Sequence, residues 1–229
     1  MKKSLVALAV VAAVPAFAQA QTSVQLTGSV DVAVESLNKH ANSSGKSDLQ
    51  VNDGVWDGSK VGIVGSEELG NGLKAIFNLE YEANADNGRL ADTDRFWAGQ
   101  SWVGLNGGFG TVKLGRQDSP IKGAIEAGDV TGQSWYYNSE DLAGIVDKVD
   151  NAISYATPSM GGLTLAVAYA SGEATAPAGN DRLNKLNDAY SVGLLGDWGS
   201  FRAGVAYQSI DGAKINNIKN TRQIAASVG

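Results

Sequence analysis

Strict alternation of apolar and polar residues is the feature that most constrains the fold of this chain. Between residues 25 and 34 the apolar parity is held by Leu26, Gly28, Val30, Val32 and Val34. A period of two is typical of a β-strand with one apolar and one polar face. The pattern recurs over 73–82 and 163–170. Further strands are predicted over 58–69, 94–106, 111–118, 151–158, 188–197, 201–210 and from about 221 to the end. The sequence therefore predicts an all-β chain of about ten strands.

Two kinds of connection alternate between these strands. Short glycine-rich turns lie at 70–72, 106–108, 160–162 and 197–199, and long polar connections lie at 39–54, 84–93, 119–150, 171–187 and 211–220. Asn-Gly and Gly-Gly steps supply the positive φ of tight hairpins. Short turns at one end and long loops at the other are the layout of an outer-membrane β-barrel. A soluble β-sandwich remains an alternative, because alternation does not distinguish lipid from a second sheet.

Aromatic residues near the predicted strand ends favour a lipid-facing sheet. They are Tyr81, Trp102, Phe109, Tyr155, Tyr169, Trp198, Phe201 and Tyr207. A membrane barrel places such residues at the level of the lipid headgroups. Single aromatic residues also close the cores of β-sandwiches, but eight in this arrangement favour the barrel.

The first twenty residues have the pattern of an export signal. Met1-Lys2-Lys3 is a basic start, Leu5 to Val14 is an apolar run, and Ala18-Gln19-Ala20 is a small-x-small cleavage site. An apolar run of about ten residues is too short to span a bilayer as a helix. The sequence predicts a cleaved signal peptide at 1–20, an exported mature domain at 21–229 and, with the barrel, an outer-membrane location.

Charge and residue usage exclude several function classes. Loss of Lys2 and Lys3 takes the formal charge from −6 to −8, so the mature chain lacks the basic surface that nucleic acid requires. The chain has no Cys and a single His, which argues against a His/Cys zinc site. No nucleophile elbow or phosphate-binding loop is present. We expect no cofactor, no metal and no enzymatic activity.

Four segments resemble the general diffusion porins of Gram-negative bacteria, in particular the β-proteobacterial type. They read VQLTGSVD at 24–31, SKVGIVGSEELGNGLKA at 59–75, WVGLNGGFGTVKLGRQ at 102–117 and DNAISYATP at 150–158. Each is a common glycine-rich pattern, but their order and spacing together are specific. The resemblance runs from the signal to the last residue.

The resemblance implies a transmembrane antiparallel β-barrel of sixteen strands, a homotrimer in outer-membrane lipid, and passive diffusion of small hydrophilic solutes and ions. It also implies a third long loop, here 119–150, that folds inward. About ten strands are present, and the chain lacks the usual terminal aromatic residue, so an N-terminal fragment is expected. A non-conducting barrel acting as an adhesin and a soluble secreted binding protein are the alternatives.

The resemblance also implies a pore constriction with basic residues on the wall and acidic residues on the inward loop. Lys60 and Arg116 match the wall positions, and Glu126 and Asp129 lie where the loop acids fall. Parity places Lys60 in the lumen. The same parity points Arg116 outward, so an irregularity near Gly115 is needed to turn it inward. The positively charged cluster of the wall is thin, and ion selectivity stays open.

Overall fold

The computed structural model describes residues 22–37, 48–129, 144–172, 188–215 and 218–229. The predicted signal peptide at 1–20 lies outside these residues. The described strands are β1 (Ser23–Ser29), β2 (Val32–Leu37), β3 (Asp48–Asp53), β4 (Ser59–Gly70), β5 (Leu73–Asn84), β6 (Arg89–Leu90), β7 (Gln100–Gly107), β8 (Gly110–Asp118), β9 (Lys148–Ala156), β10 (Leu163–Ala170), β11 (Ala189–Asp197), β12 (Arg202–Ile215) and β13 (Ile218–Val228). One helix, α1 (Pro120–Glu126), follows β8.

The strands form one large antiparallel sheet and one small hairpin. The large sheet has the order β1-β4-β5-β7-β8-β9-β10-β11-β12-β13, with β6 paired to β5. Strands β2 and β3 pair separately. The glycine-rich turns that follow β4, β7, β9 and β11 lie at one end of the sheet, as predicted. None of the helices in the described ranges is long and apolar enough to cross a membrane.

The register gives the large sheet two unlike faces. One row of paired residues runs across seven strands: Leu105, Val112, Tyr155, Val167, Val192, Tyr207 and Ile224. Most of this row is exposed, and Ile224 is 79% exposed. The neighbouring row on the other face holds small residues, among them Ala166, Gly193, Ala206 and Ala225. We call the apolar side the outer face and the other side the inner face.

Helix α1 packs on the inner face against β11, β12 and β13. Its residues Ile121 and Ala124 are fully buried, against Ala206 and Ala225 of the wall. The wall has room for the helix because Gly204 carries no side chain: a Cβ there would lie 2.5 Å from the Ala124 carbonyl oxygen. The start of the 119–150 loop therefore lies on the inner face, and it carries a helix that the sequence did not predict.

The prediction of one continuous strand over 25–34 is wrong. It divides at Val30 and Asp31 into β1, which joins the large sheet, and β2, which pairs with β3. Asp31 fixes the division, because its carboxylate accepts the backbone N–H groups of Trp56 at 2.5 Å and Asp57 at 2.9 Å. The predicted loop over 39–54 therefore contains β3 over its last third.

Other boundaries also differ from prediction. Strand β7 begins at Gln100, six residues after the predicted start at 94. The predicted loop over 211–220 is mostly strand, since β12 continues to Ile215 and β13 starts at Ile218. Because this segment is rich in polar residues, the sequence did not indicate that β12 and β13 pair through it. The register of that pairing shifts between Asp211 and Ile215.

One of the aromatic residues assigned to the outer face lies on the inner face. The indole N–H of Trp102 donates to the side chain of Gln100, and the Lys113 ammonium lies 4.4 Å from the Trp102 ring centroid. At the turns, Trp198 and Phe201 stack with ring centroids 5.7 Å apart and are both exposed. That pair fits an interfacial position.

Candidate functional site

The inner face borders a cavity of about 1140 Å³. Its lining comes from the β2–β4 region, β5, the end of β8, helix α1 and the start of β9. The lining residues are Glu35, Asn52, Asp53, Gly54, Val55, Asp57, Gly58, Ser59, Lys60, Asn78, Glu80, Glu82, Ala83, Asn84, Asp86, Asn87, Ala91, Gln100, Asp118, Lys122, Glu126, Asp129, Ile145, Asp147, Lys148 and Arg202. The surface is polar, in contrast to the outer face.

Lys60 lies on the wall of this cavity, on the inner face as parity predicted. Its ammonium nitrogen is 2.7 Å from a carboxylate oxygen of Asp57, and Glu82 is its partner on β5. The positive charge of Lys60 therefore faces the cavity beside two acidic side chains.

Glu126 and Asp129 line the same cavity from α1 and the turn that follows it. The Asp129 backbone N–H donates to the Glu126 carbonyl oxygen at 3.1 Å, which closes the turn after the helix. The structure thus brings together three of the four predicted constriction residues.

Arg116 is not among the lining residues. Its guanidinium binds Asp150 at 2.7 Å and donates to the Ala98 carbonyl oxygen at 2.7 Å. The irregularity expected near Gly115 is confirmed: Gly115 has a φ of 125°, and the β8–β9 register shifts between Gly115 and Gln117. The β7–β8 register continues through Arg116, which pairs with Ser101.

The charges nearest to α1 form a network that the sequence reasoning missed. The Lys122 ammonium lies 3.3 Å from Asp118 and 3.6 Å from Glu126. Lys148, at the start of β9, lies 3.1 Å from Asp147 and 3.6 Å from Glu82. The inward segment therefore carries a positive charge of its own, held between carboxylates.

Asp147 connects these two lysines. Burial disfavours its charged form, but the positive charges of Lys148 and Lys122 and the hydrogen bond from Lys148 outweigh burial and lower the pKa of Asp147. Asp147 is therefore ionised at neutral pH.

Glu80 and Glu82 are further lining residues that the sequence reasoning did not single out. Both belong to the polar parity of β5, so the alternation that predicted the strand could have identified them. The described residues include no group of three or more His, Cys, Asp or Glu arranged to hold a metal ion.

Comparisons with known proteins agree with this geometry. The family model described as Gram-negative porin matches residues 7–229. The major outer membrane protein P.IB of Neisseria meningitidis is 34% identical over 240 residues, covering 98% of this chain and 66% of the relative. Outer membrane porin protein 32 of Delftia acidovorans is 39% identical over 179 residues, covering 74% of this chain and 50% of the relative.

A solved structure shares the fold. The anion-selective porin from Comamonas acidovorans has a TM-score of 0.71 and 26% sequence identity, covering 91% of this chain and 63% of that one. The chain spans about half to two thirds of the length of the curated relatives that it matches.

The matches confirm the outer-membrane location and the β-barrel fold class, and membership of a channel family supports the exclusion of catalysis. The large antiparallel sheet with an apolar outer face and a polar inner face is typical of a membrane β-barrel. The chain belongs to the Gram-negative porin family.

Proposed function

We propose that the protein is a passive diffusion channel for small hydrophilic solutes and ions across the outer membrane. The observation that carries this proposal is the polarity of the sheet: exposed apolar rows outside, and a charged cavity of about 1140 Å³ inside. Lipid suits the outer face and water suits the inner one. A soluble sandwich would cover its apolar rows with a second sheet.

Closure of the barrel is part of the proposal. Strands β1 and β13 end the sheet order and do not pair with each other in the described residues. Unpaired backbone groups in lipid cost several kcal/mol each, so both edges need partner strands in the membrane. A small barrel of about eight strands is filled by its own side chains, whereas about sixteen leave a channel.

The constriction that we propose lies between the wall residue Lys60 and the loop residues Glu126 and Asp129. It is supported by their shared cavity and by the packing of α1 against the wall. Arg116 matches a basic wall position of the family, and we propose that its influence on passing ions is reduced by its ion pair with Asp150.

The proposed channel prefers cations. Ten carboxylate side chains and four cationic ones line the cavity within the described ranges, which leaves an excess of six negative charges. Fixed charge in a narrow pore sets ion preference. The Comamonas relative is named an anion-selective porin. We therefore expect this chain to prefer ions of the opposite charge.

We also propose that the channel is a homotrimer surrounded by outer-membrane lipid. The family resemblance supports the trimer, and the exposed outer rows support the contact with lipid. The mass of the detergent-solubilised protein, measured by light scattering, tests the trimer. A monomeric mass at concentrations that give channel activity would contradict it.

Planar bilayer recording tests the channel itself. The purified intact protein should produce stepwise conductance increases, and the reversal potential in a KCl gradient should show K⁺ preference. A non-conducting adhesin would bind to the bilayer without steps, and a soluble protein would not insert. Conductance steps with Cl⁻ preference would refute the proposed preference for cations but would still support the proposed channel function.

Charge substitutions test the constriction. A unit charge about 10 Å from a passing ion in water changes its energy by about 0.4 kcal/mol, or about two-fold in permeability. Lys60→Ala should raise the K⁺/Cl⁻ permeability ratio about four-fold, because it favours K⁺ and disfavours Cl⁻ by about two-fold each, and Glu126→Ala with Asp129→Ala should lower the ratio. Lys113 also lies on the inner face, but outside the cavity lining and close to the turn at 106–108, so Lys113→Ala serves as the control for position. An effect of Lys113→Ala as large as that of Lys60→Ala would refute the assignment.

A further inference from the structure

Two glutamines of the wall hold the arm by which the inward loop returns to the sheet. This arm, residues 144–147, leads into β9. The Gln208 side-chain amide donates to the Val146 carbonyl oxygen at 3.0 Å, and the Gln223 amide donates to the Gly144 carbonyl oxygen at 2.8 Å. The Gln223 side-chain oxygen accepts the Val146 N–H at 3.3 Å. Three backbone groups of the arm are therefore bound by two side chains.

The two glutamines form one unit. Gln208 of β12 and Gln223 of β13 are direct register partners, and the Gln208 amide donates to the Gln223 oxygen at 3.2 Å. Gln208 is fully buried. A buried amide is unfavourable unless it is hydrogen-bonded. The Gln208 side-chain nitrogen donates to the Val146 and Gln223 oxygens, whereas the Gln208 side-chain oxygen has no partner among the described residues.

The same arm is tied to the start of the loop. Ser119 donates from its hydroxyl to the Val146 carbonyl oxygen at 3.0 Å and from its backbone N–H to the Asp147 carbonyl oxygen at 2.8 Å. Val146 is thus the point at which the outgoing arm, the returning arm and the wall meet.

We propose that Gln208 and Gln223 are positioning residues that hold the inward loop against the wall and keep the channel at one steady conductance. This rests on the proposed channel function. Without the two amides, the returning arm keeps its contacts with Ser119 but loses its hydrogen bonds to the wall. It would then move into the cavity that its neighbours Ile145 and Asp147 line.

Open-channel recording of four proteins tests the proposal: the wild type, Gln223→Leu, Gln223→Glu and the control Gln50→Leu. Gln50 lies on β3, outside the large sheet and the cavity lining. Gln223→Leu removes two hydrogen bonds to the arm, and each net hydrogen bond lost makes the detached arm about five-fold more populated. Gln223→Leu should therefore raise the open-channel current variance several-fold and lower the voltage at which half of the channels close.

Gln223→Glu keeps the acceptor for the Val146 N–H and loses the donor to Gly144, so its variance should lie between the wild type and Gln223→Leu. A merely structural role would lower the thermal midpoint without this graded change in noise. Gln223 is chosen because it lies at the less buried end of the pair, and Gln208→Leu is a second variant to be recorded if it folds.

The outcomes separate the two claims. A steady wild-type channel with Gln223→Leu indistinguishable from Gln50→Leu overturns the proposed clamp, that is, the holding of the loop by Gln208 and Gln223, and leaves the channel function intact. A wild-type protein that inserts without conducting overturns the proposed function and the clamp with it. Graded noise across the series at unchanged mean conductance supports the clamp.

Discussion

Gly204→Ala should displace helix α1 from the wall. An added Cβ at this position would lie 2.5 Å from the Ala124 carbonyl oxygen and 2.6 Å from its Cα. Both are backbone atoms, so no side-chain rotation relieves the contact. The helix or the strand has to move.

The size of the effect follows from these distances. Carbon atoms in contact normally lie about 3.5–4.0 Å apart, so the helix must shift by roughly 1 Å. Overpacking of a closely packed site costs about 1–3 kcal/mol. The shift moves the helix toward the cavity that Lys122 and Glu126 line, so the conductance should fall as the free energy of unfolding falls.

Urea unfolding in detergent micelles and single-channel conductance measure the two effects. Gly108→Ala is the matched control, because nothing lies within 4 Å of a Cβ at that position. Both substitutions restrict the unfolded chain in the same way, so the difference between them isolates the contact with α1. If the free energies of unfolding of the two variants agree within about 0.5 kcal/mol and the variants conduct equally, α1 does not pack on Gly204 as described.

Three further results are expected. A maleimide added to intact cells should label a Cys introduced at Asn87, in a long connection, and should not label a Cys introduced at Asn71, in a glycine-rich turn. The reverse result would show that the barrel has the opposite orientation in the membrane. A double-mutant cycle of Arg116→Ala and Asp150→Ala should give a coupling of about 1–2 kcal/mol, and additive effects would show that the ion pair does not form. Because the pKa of Asp147 is lowered in the folded state, its ion pairs should stabilise the protein above the unfolded pKa of about 4 and lose that effect as pH falls further. The difference in unfolding free energy between wild type and Asp147→Asn should therefore shrink in acid, and a constant difference would contradict the assignment.

The strands and tight turns could be predicted because their signal is local. Alternation over 73–82 and 163–170 reports a sheet with two unlike faces, and Asn71 has a φ of 53° in the turn where Asn-Gly was expected. These features depend on neighbouring residues alone.

The division of the first strand could not be predicted, because the alternation continues through it. Val30, Val32 and Val34 keep one parity, while the break at Asp31 depends on N–H groups more than twenty residues away. Helix α1 had a weak local signal in Ser119-Pro120, since proline is favoured in the first turn of a helix. Its position on the wall depends on Gly204, which is distant in sequence.

The site was predictable in part. Parity and family resemblance placed Lys60, Glu126 and Asp129, and all three line one cavity. The ion pair of Arg116 with Asp150 and the binding of the loop by Gln208 are long-range contacts, and no pattern near either residue indicates them.

The central claim is that the inner face of the sheet lines the path of the ions. The chain contains no Cys, so single substitutions can be labelled without background. Asn78 lies on the inner face of β5 and lines the cavity, whereas Val103 lies on the outer face of β7 and is exposed there. A positively charged methanethiosulfonate reagent applied to open channels should reduce the conductance of Asn78→Cys and leave that of Val103→Cys unchanged. A reduction in Val103→Cys with no change in Asn78→Cys would contradict the account.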